Sequence, residues 1–113
     1  MNANVIARKL ASLQKRGSVN SVDVANVLQI EPETVSRWNQ GKAFPQPEVE
    51  RALLGLEYVV DQLANLYEPD EVRLWLFAPQ KLLNGEIPAG LIRQHRTDEV
   101  IQIIRQLLEG VYV

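Results

Sequence analysis

The sequence predicts an all-α fold, and three observations carry that prediction. Apolar residues recur at three- and four-residue steps along the longer segments, as they do on one face of a helix. Proline heads segment after segment, at Pro32, Pro47, Pro69 and Pro88, where the first turn of a helix has no use for the missing N–H. The strongest hairpin dipeptide, Asn84-Gly85, has no flank that alternates long enough to be a strand.

A chain of 113 residues makes one compact domain or two very small ones sharing a core. Cysteine is absent, which excludes disulfides and thiol chemistry, removes the commonest structural zinc ligands and fits a cytoplasmic address. No apolar run approaches the roughly 20 residues of a membrane span, and the opening MNANVIARKL lacks the apolar block of a secretory signal. The net charge of −2 hides an asymmetry: residues 1–45 carry six cations against three anions, and residues 46–113 six cations against eleven. A net of +3 followed by −5 predicts two regions with different partners, the first suited to a polyanion.

In chain order, Val5 to Lys15 reads as a first helix with Val5, Ile6, Leu10 and Leu13 on one side, closed at Arg16-Gly17 with the glycine as left-handed C′ residue. Ser21 is positioned to cap the next helix, whose apolar residues are Val22, Val24, Ala25 and Leu28. After a break at Gln29-Ile30-Glu31, Pro32 opens another short helix with Val35 and Trp38 facing back toward its neighbour. Glu33, Thr34, Ser36, Arg37 and Gln40 are then left outward, with Lys42 just past Gly41. Apolar anchors behind and polar, partly cationic residues in front are what insertion into a DNA major groove requires, and a plain helical hairpin in a core shows the same spacing. On the DNA reading Glu33, Thr34, Ser36, Arg37 and Gln40 meet bases or backbone, and Ser21 and Lys42 meet phosphates. Arg37 suits a guanine edge, a phosphate or a pair with Glu33 one turn earlier.

This stretch resembles the Xre-type helix-turn-helix of phage-repressor-like regulators. The residues that carry the likeness are Val24-Ala25, Leu28, the run Pro32-Glu33-Thr34-Val35-Ser36-Arg37-Trp38, Gly41-Lys42 and Pro45. Gln29 departs from that pattern, standing where the family turn usually has glycine.

A long helix is predicted from Glu48 to Tyr67, with Val49, Leu53, Leu56, Val60, Leu63 and Tyr67 in a heptad-like stripe that Leu54, Val59 and Leu66 widen. It serves as the spine of a bundle, or pairs with its copy in a homodimer. Pro69-Asp70-Glu71 starts a helix carrying Leu74, Trp75 and Phe77 and ending at Pro79. Asn84-Gly85 makes a turn, Ile87-Pro88 begins a short helix through Leu91-Ile92, and Thr97 caps the last helix, with Gly110 at its C′ position. The chain ends in Val111-Tyr112-Val113, which either folds back on the last helix or enters a partner's pocket.

The second region is similar to the toxin-binding domain of the MbcA/ParS/Xre antitoxins. The likeness rests on Arg73-Leu74-Trp75-Leu76, Pro79, Leu82-Leu83, Asn84-Gly85, Pro88, Leu91-Ile92 and the closing Glu109-Gly110-Val111-Tyr112-Val113. Asn84 and Gln94-His95-Arg96 depart from the family's glycine-richer turns. The resemblance implies a helix-turn-helix region at 1–45, a connecting helix and toxin-binding domain at 46–113, and a type II antitoxin. It further implies that the partner is a RES-domain toxin that consumes NAD⁺, that Gly110, Val111, Tyr112 and Val113 block the toxin's active-site entrance, and that a dimer regulates its own operator. A stand-alone regulator without a toxin is the alternative.

No catalytic or metal site and no cofactor is predicted. His95 is the single imidazole, and no glycine-rich phosphate loop, cysteine or second histidine stands beside it.

Overall fold

A computed structural model describes residues 3–110, with side chains from Val5 onward. Among these residues the chain forms seven α-helices and no strand, so it is all-α as the sequence predicts. They are α1 (Ala3–Gly17), α2 (Ser21–Leu28), α3 (Pro32–Asn39), α4 (Pro47–Leu63), α5 (Pro69–Phe77), α6 (Pro88–Arg93) and α7 (Thr97–Gly110). A 3₁₀ turn at Lys81–Leu83 lies between α5 and α6.

The helix α4 is the spine. It packs against α1, α2, α6 and α7, and it buries Leu53, Leu56, Val59, Val60 and Leu63. Each such aliphatic side chain contributes roughly 1.5–3 kcal/mol on burial, against helix propensities below about 1 kcal/mol per residue, so packing decides this helix. It ends at Leu63, a turn short of the predicted Tyr67. There the backbone tightens, with Asn65 N–H donating to Gln62 C=O (3.1 Å) and Leu66 N–H to Leu63 C=O (2.9 Å), before Pro69 starts α5. Tyr67 packs half-buried on the core.

In α1 the predicted Ile6, Leu10 and Leu13 are buried. Its exit differs from the prediction. The left-handed residue is Ser18 (φ 51°), and Gly17 is a buried helical residue. A Cβ on Gly17 would lie 2.8 Å from Val60 Cγ1 and 3.2 Å from Val72 Cγ1. Gly17 is therefore where α1 presses against α4 and α5.

The inward face of α2 is also shifted. Asp23, Val24, Ala25 and Val27 are buried, whereas Val22 is 54% exposed. In α5 the core residues are Val72 and Leu76, and Leu74 is 70% exposed. The last helix buries Val100, Ile103 and Ile104, takes in Thr97 as its first residue and runs through Gly110 without a left-handed φ there. Neither Thr97 nor Gly110 stands outside the helix as a cap, because helical backbone bonding extends over both. The single core cluster runs from Ile6 to Ile104. No helix among the described residues is long and apolar enough to cross a membrane.

Candidate functional site

The candidate site is the α2–turn–α3 unit, and its geometry begins at Asn20. The Asn20 carboxamide accepts from Asp23 N–H (2.9 Å), and the Asp23 carboxylate accepts from Asn20 N–H (3.0 Å), a reciprocal capping box. Asn20 is thus the N-cap and Ser21 the first helical residue, exposed, one position later than the sequence reading placed it. The acid three residues after Asn20, the mark of a capping box, is the sequence signal that points to Asn20 instead of Ser21.

The turn is closed by Gln29 in the left-handed region (φ 58°, ψ 48°). Its N–H and that of Ile30 (3.0 Å) both donate to Ala25 C=O, while Ile30 packs on the core. A glutamine accordingly takes the conformation for which glycine is the usual residue. Pro32 is the first residue of α3, following an extended Glu31, and Val35 and Trp38 are buried as predicted. Gly41 (φ 74°) ends the unit, with Lys42 N–H donating to Arg37 C=O at 2.9 Å.

With that inward face occupied, Glu33, Ser36, Arg37, Gln40 and Lys42 are exposed and Thr34 is half-buried. Gln40 Nε2 donates to Ser36 Oγ (3.3 Å), which ties two of these side chains together. The helical Glu33–Arg37 pair does not form, and among the described residues Arg37 and Lys42 have no acidic partner. Elsewhere in the first 45 residues, Lys9 pairs with Glu57 of α4 (2.9 Å) and Arg16 with Asp61 of α4. Two of the six early cations are therefore spent on acids of the spine, while Arg37 and Lys42 present free charge at the end of α3.

The unit is fastened to the helices that follow it. Arg73 of α5 donates to the Asp23 carboxylate and to Ser18 C=O (3.3 Å), and its guanidinium stacks 5.1 Å from the centre of the Phe77 ring. Ser18 Oγ donates to Asp70 (2.8 Å), and Arg93 Nε donates to Asn26 C=O (3.1 Å). The carboxylate of Asp23 holds the Arg73 guanidinium in its charged form, raising its pKa. Sequence reasoning missed Arg73 in this role, since its partner lies 50 positions away.

At the other end, Gly110 is the exposed last residue of α7, and Val111, Tyr112 and Val113 lie outside the described residues. The segment from α5 to α6 leaves Leu74, Leu82 and Ile87 exposed. His95 adopts φ 61° and lets Arg96 N–H close α6 on Leu91 C=O (2.8 Å), a backbone role. The Arg96 guanidinium bridges Glu99 (2.6 Å) and Glu86 (3.2 Å); that hydrogen bonding raises the Arg96 pKa and lowers that of Glu99.

No family model matches the chain. It is similar to the mycobacterial cidal antitoxin MbcA of Mycobacterium bovis, 32% identical over 113 residues and covering 100% of both chains. MbcA of Mycobacterium tuberculosis matches to the same extent, 32% over 113 residues and 100% of both. Among solved structures, a chain of the M. tuberculosis MbcT–MbcA toxin–antitoxin complex superposes with a TM-score of 0.83 at 32% identity, covering 97% of this chain and 99% of that one.

Proposed function

The chain belongs to the family of the mycobacterial cidal antitoxin MbcA, and from that premise we propose that it is the antitoxin of a toxin–antitoxin pair, acting by binding and not by catalysis. The observation that carries the reading is the end-to-end match, in sequence and in fold, to a chain crystallised within a toxin–antitoxin complex.

The finer reading has two arms. The region 46–113 holds a RES-domain toxin that degrades NAD⁺, with Gly110 to Val113 entering its active site. Leu74, Leu82 and Ile87, large apolar side chains left in water, support a protein partner for this half. The region 1–45 binds operator DNA through Ser21, Glu33, Thr34, Ser36, Arg37, Gln40 and Lys42, as a homodimer in the cytoplasm, so that the antitoxin represses its own operon. The unpaired Arg37 and Lys42 at the exposed side of α3 support that arm.

The test is co-expression with the product of the adjacent gene. That product should co-purify with this chain, consume NAD⁺ when alone and arrest growth, and the full-length chain should restore growth. Deleting Val111 to Val113 should release the toxin. Full protection by the truncated chain would remove the active-site insertion. Failure of any neighbour to bind would leave the stand-alone regulator as the better reading.

A further inference from the structure

A cleft of about 230 Å³ lies where α1, the start of α2 and the end of α3 meet. Its floor is apolar, with Leu10, Val19 and Val24 buried. Gln14 of α1, Ser21 of α2 and Asn39 of α3 stand exposed around it. Among the described residues, the Gln14 and Asn39 carboxamides and the Ser21 hydroxyl have no hydrogen-bond partner. Each carboxamide offers two N–H donors and the hydroxyl one O–H. Lys15 follows Gln14, exposed and without an acidic partner among the described residues.

The charge around this cleft suits an anion. Two larger clefts each hold two carboxylates, Glu48 with Asp98 and Glu57 with Asp61. No acid lines this one, in a chain with more acids than cations. Its volume is below the roughly 300 Å³ at which small-molecule pockets begin, but an open cleft of this size admits a single phosphate group. It also joins α2 to α3, the two helices whose exposed residues are proposed to meet DNA. Glutamine, asparagine, serine and lysine side chains are ordinary donors to the DNA backbone, which receives half to two-thirds of the hydrogen bonds in such complexes.

We propose that this cleft seats a backbone phosphate of duplex DNA, with Gln14, Ser21 and Asn39 donating to its oxygens and Lys15 supplying charge at the rim. The inference rests on the operator-binding reading given above and adds α1 to its surface.

The test uses the full-length chain and two fluorescein-labelled duplexes of equal length, one from upstream of its own gene and one of unrelated sequence. Gln14→Glu puts a carboxylate where the phosphate sits and should weaken binding to both duplexes by roughly tenfold. Gln14→Lys should tighten both and raise the dependence of affinity on salt by about one power. Gln102→Lys adds the same charge at an exposed position of α7 and should change neither. If the wild-type chain binds neither duplex, the DNA reading falls and this site with it. If Arg37→Ala weakens operator binding while both Gln14 variants leave affinity and salt dependence as they were, the DNA reading stands and the cleft is no part of it. Equal gains from Gln14→Lys and Gln102→Lys would reduce the effect to net charge and remove the site. Loss of co-purification with the adjacent gene's product in Gln14→Glu, with DNA binding intact, would assign the cleft to the toxin instead.

Discussion

Arg73 in α5 donates a hydrogen bond to Asp23, the carboxylate that completes the capping box of α2 and is only 7% exposed. One carboxylate therefore serves two connections, local to Asn20 and long-range to Arg73. Asp23→Ala leaves the Asn20 N–H and a charged guanidinium without their acceptor. Loss of the reciprocal capping-box bond costs about 0.5–1.5 kcal/mol and of a hydrogen bond to a charged group about 1.5–3 kcal/mol. Because the two share a partner they do not add fully, and a loss of about 2–3 kcal/mol is expected. Asp23→Asn, which keeps an acceptor oxygen, should lose less. Urea unfolding of both variants checks this, and a change within about 0.5 kcal/mol for alanine would place Asp23 among ordinary surface residues.

Gly17 and Gly90 make a matched pair. Both are helical, yet a Cβ on Gly17 would stand 2.8 Å from Val60 Cγ1, while one on Gly90 would meet nothing within 4 Å. Glycine to alanine in an open helix is favourable by roughly 0.5–1 kcal/mol, and forcing a methyl into a filled core costs about 1–3 kcal/mol. Gly17→Ala should lower the melting temperature by several degrees and Gly90→Ala should raise it slightly. Equal effects from the two would mean that α1 and α4 can part without cost.

What the residues themselves disclosed follows from the range over which each effect acts. Val35 and Trp38, or Ile6, Leu10 and Leu13, could be placed inward because a helix repeats its face within a few residues. Gly17 looked like a left-handed terminator, since glycine after a basic last turn usually is one; only Val60 and Val72, far along the chain, reveal the close approach. The buried Asp23 and exposed Val22 invert the hydrophobic rule for the same reason, with Arg73 supplying the partner that lets the acid go inside. Ser21 reads as the cap of α2 in the sequence, and the capping box between Asn20 and Asp23 moves that role one residue back. The outward polar set of α3 was legible because two buried residues fix the whole face of a short helix.

The left-handed Gln29 makes a conformational prediction. A side chain in that region costs about 1–2 kcal/mol relative to ordinary backbone, and glycine relieves it while giving back some entropy in the unfolded chain. Gln29→Gly should stabilise the protein by roughly 0.5–1 kcal/mol and leave the turn unchanged. A destabilised variant would show that the Gln29 side chain contributes a contact of its own.

Acidification should weaken the Arg96 cluster. The Arg96 guanidinium holds the Glu99 carboxyl below its ordinary value of 4.5, so this group's contribution is fully present above that value and is lost as pH falls through the lower folded value. Glu99→Gln removes the titration. Wild-type stability should therefore fall toward that of Glu99→Gln between about pH 5 and pH 3, followed by thermal melting, with the two curves separated at neutral pH. Parallel curves across this range would rule out the linkage. The pair is exposed, so the separation should be small.

For the proposed operator interface, Arg37 is the discriminating residue. It is exposed on the outer side of α3, unpaired by Glu33, and Trp38 beside it is anchored in the core. A side chain that reads a base contributes about 1–3 kcal/mol, so Arg37→Ala should weaken operator binding by roughly tenfold to a hundredfold. Lys42→Ala, removing a phosphate contact, should weaken all sequences alike and reduce the dependence of affinity on salt by about one power. Neither substitution touches the region assigned to the toxin, so neutralisation in the growth assay should persist in both. Fluorescence anisotropy across a salt series separates the two effects. Undiminished operator binding by Arg37→Ala would mean that the outer face of α3 is not what meets DNA.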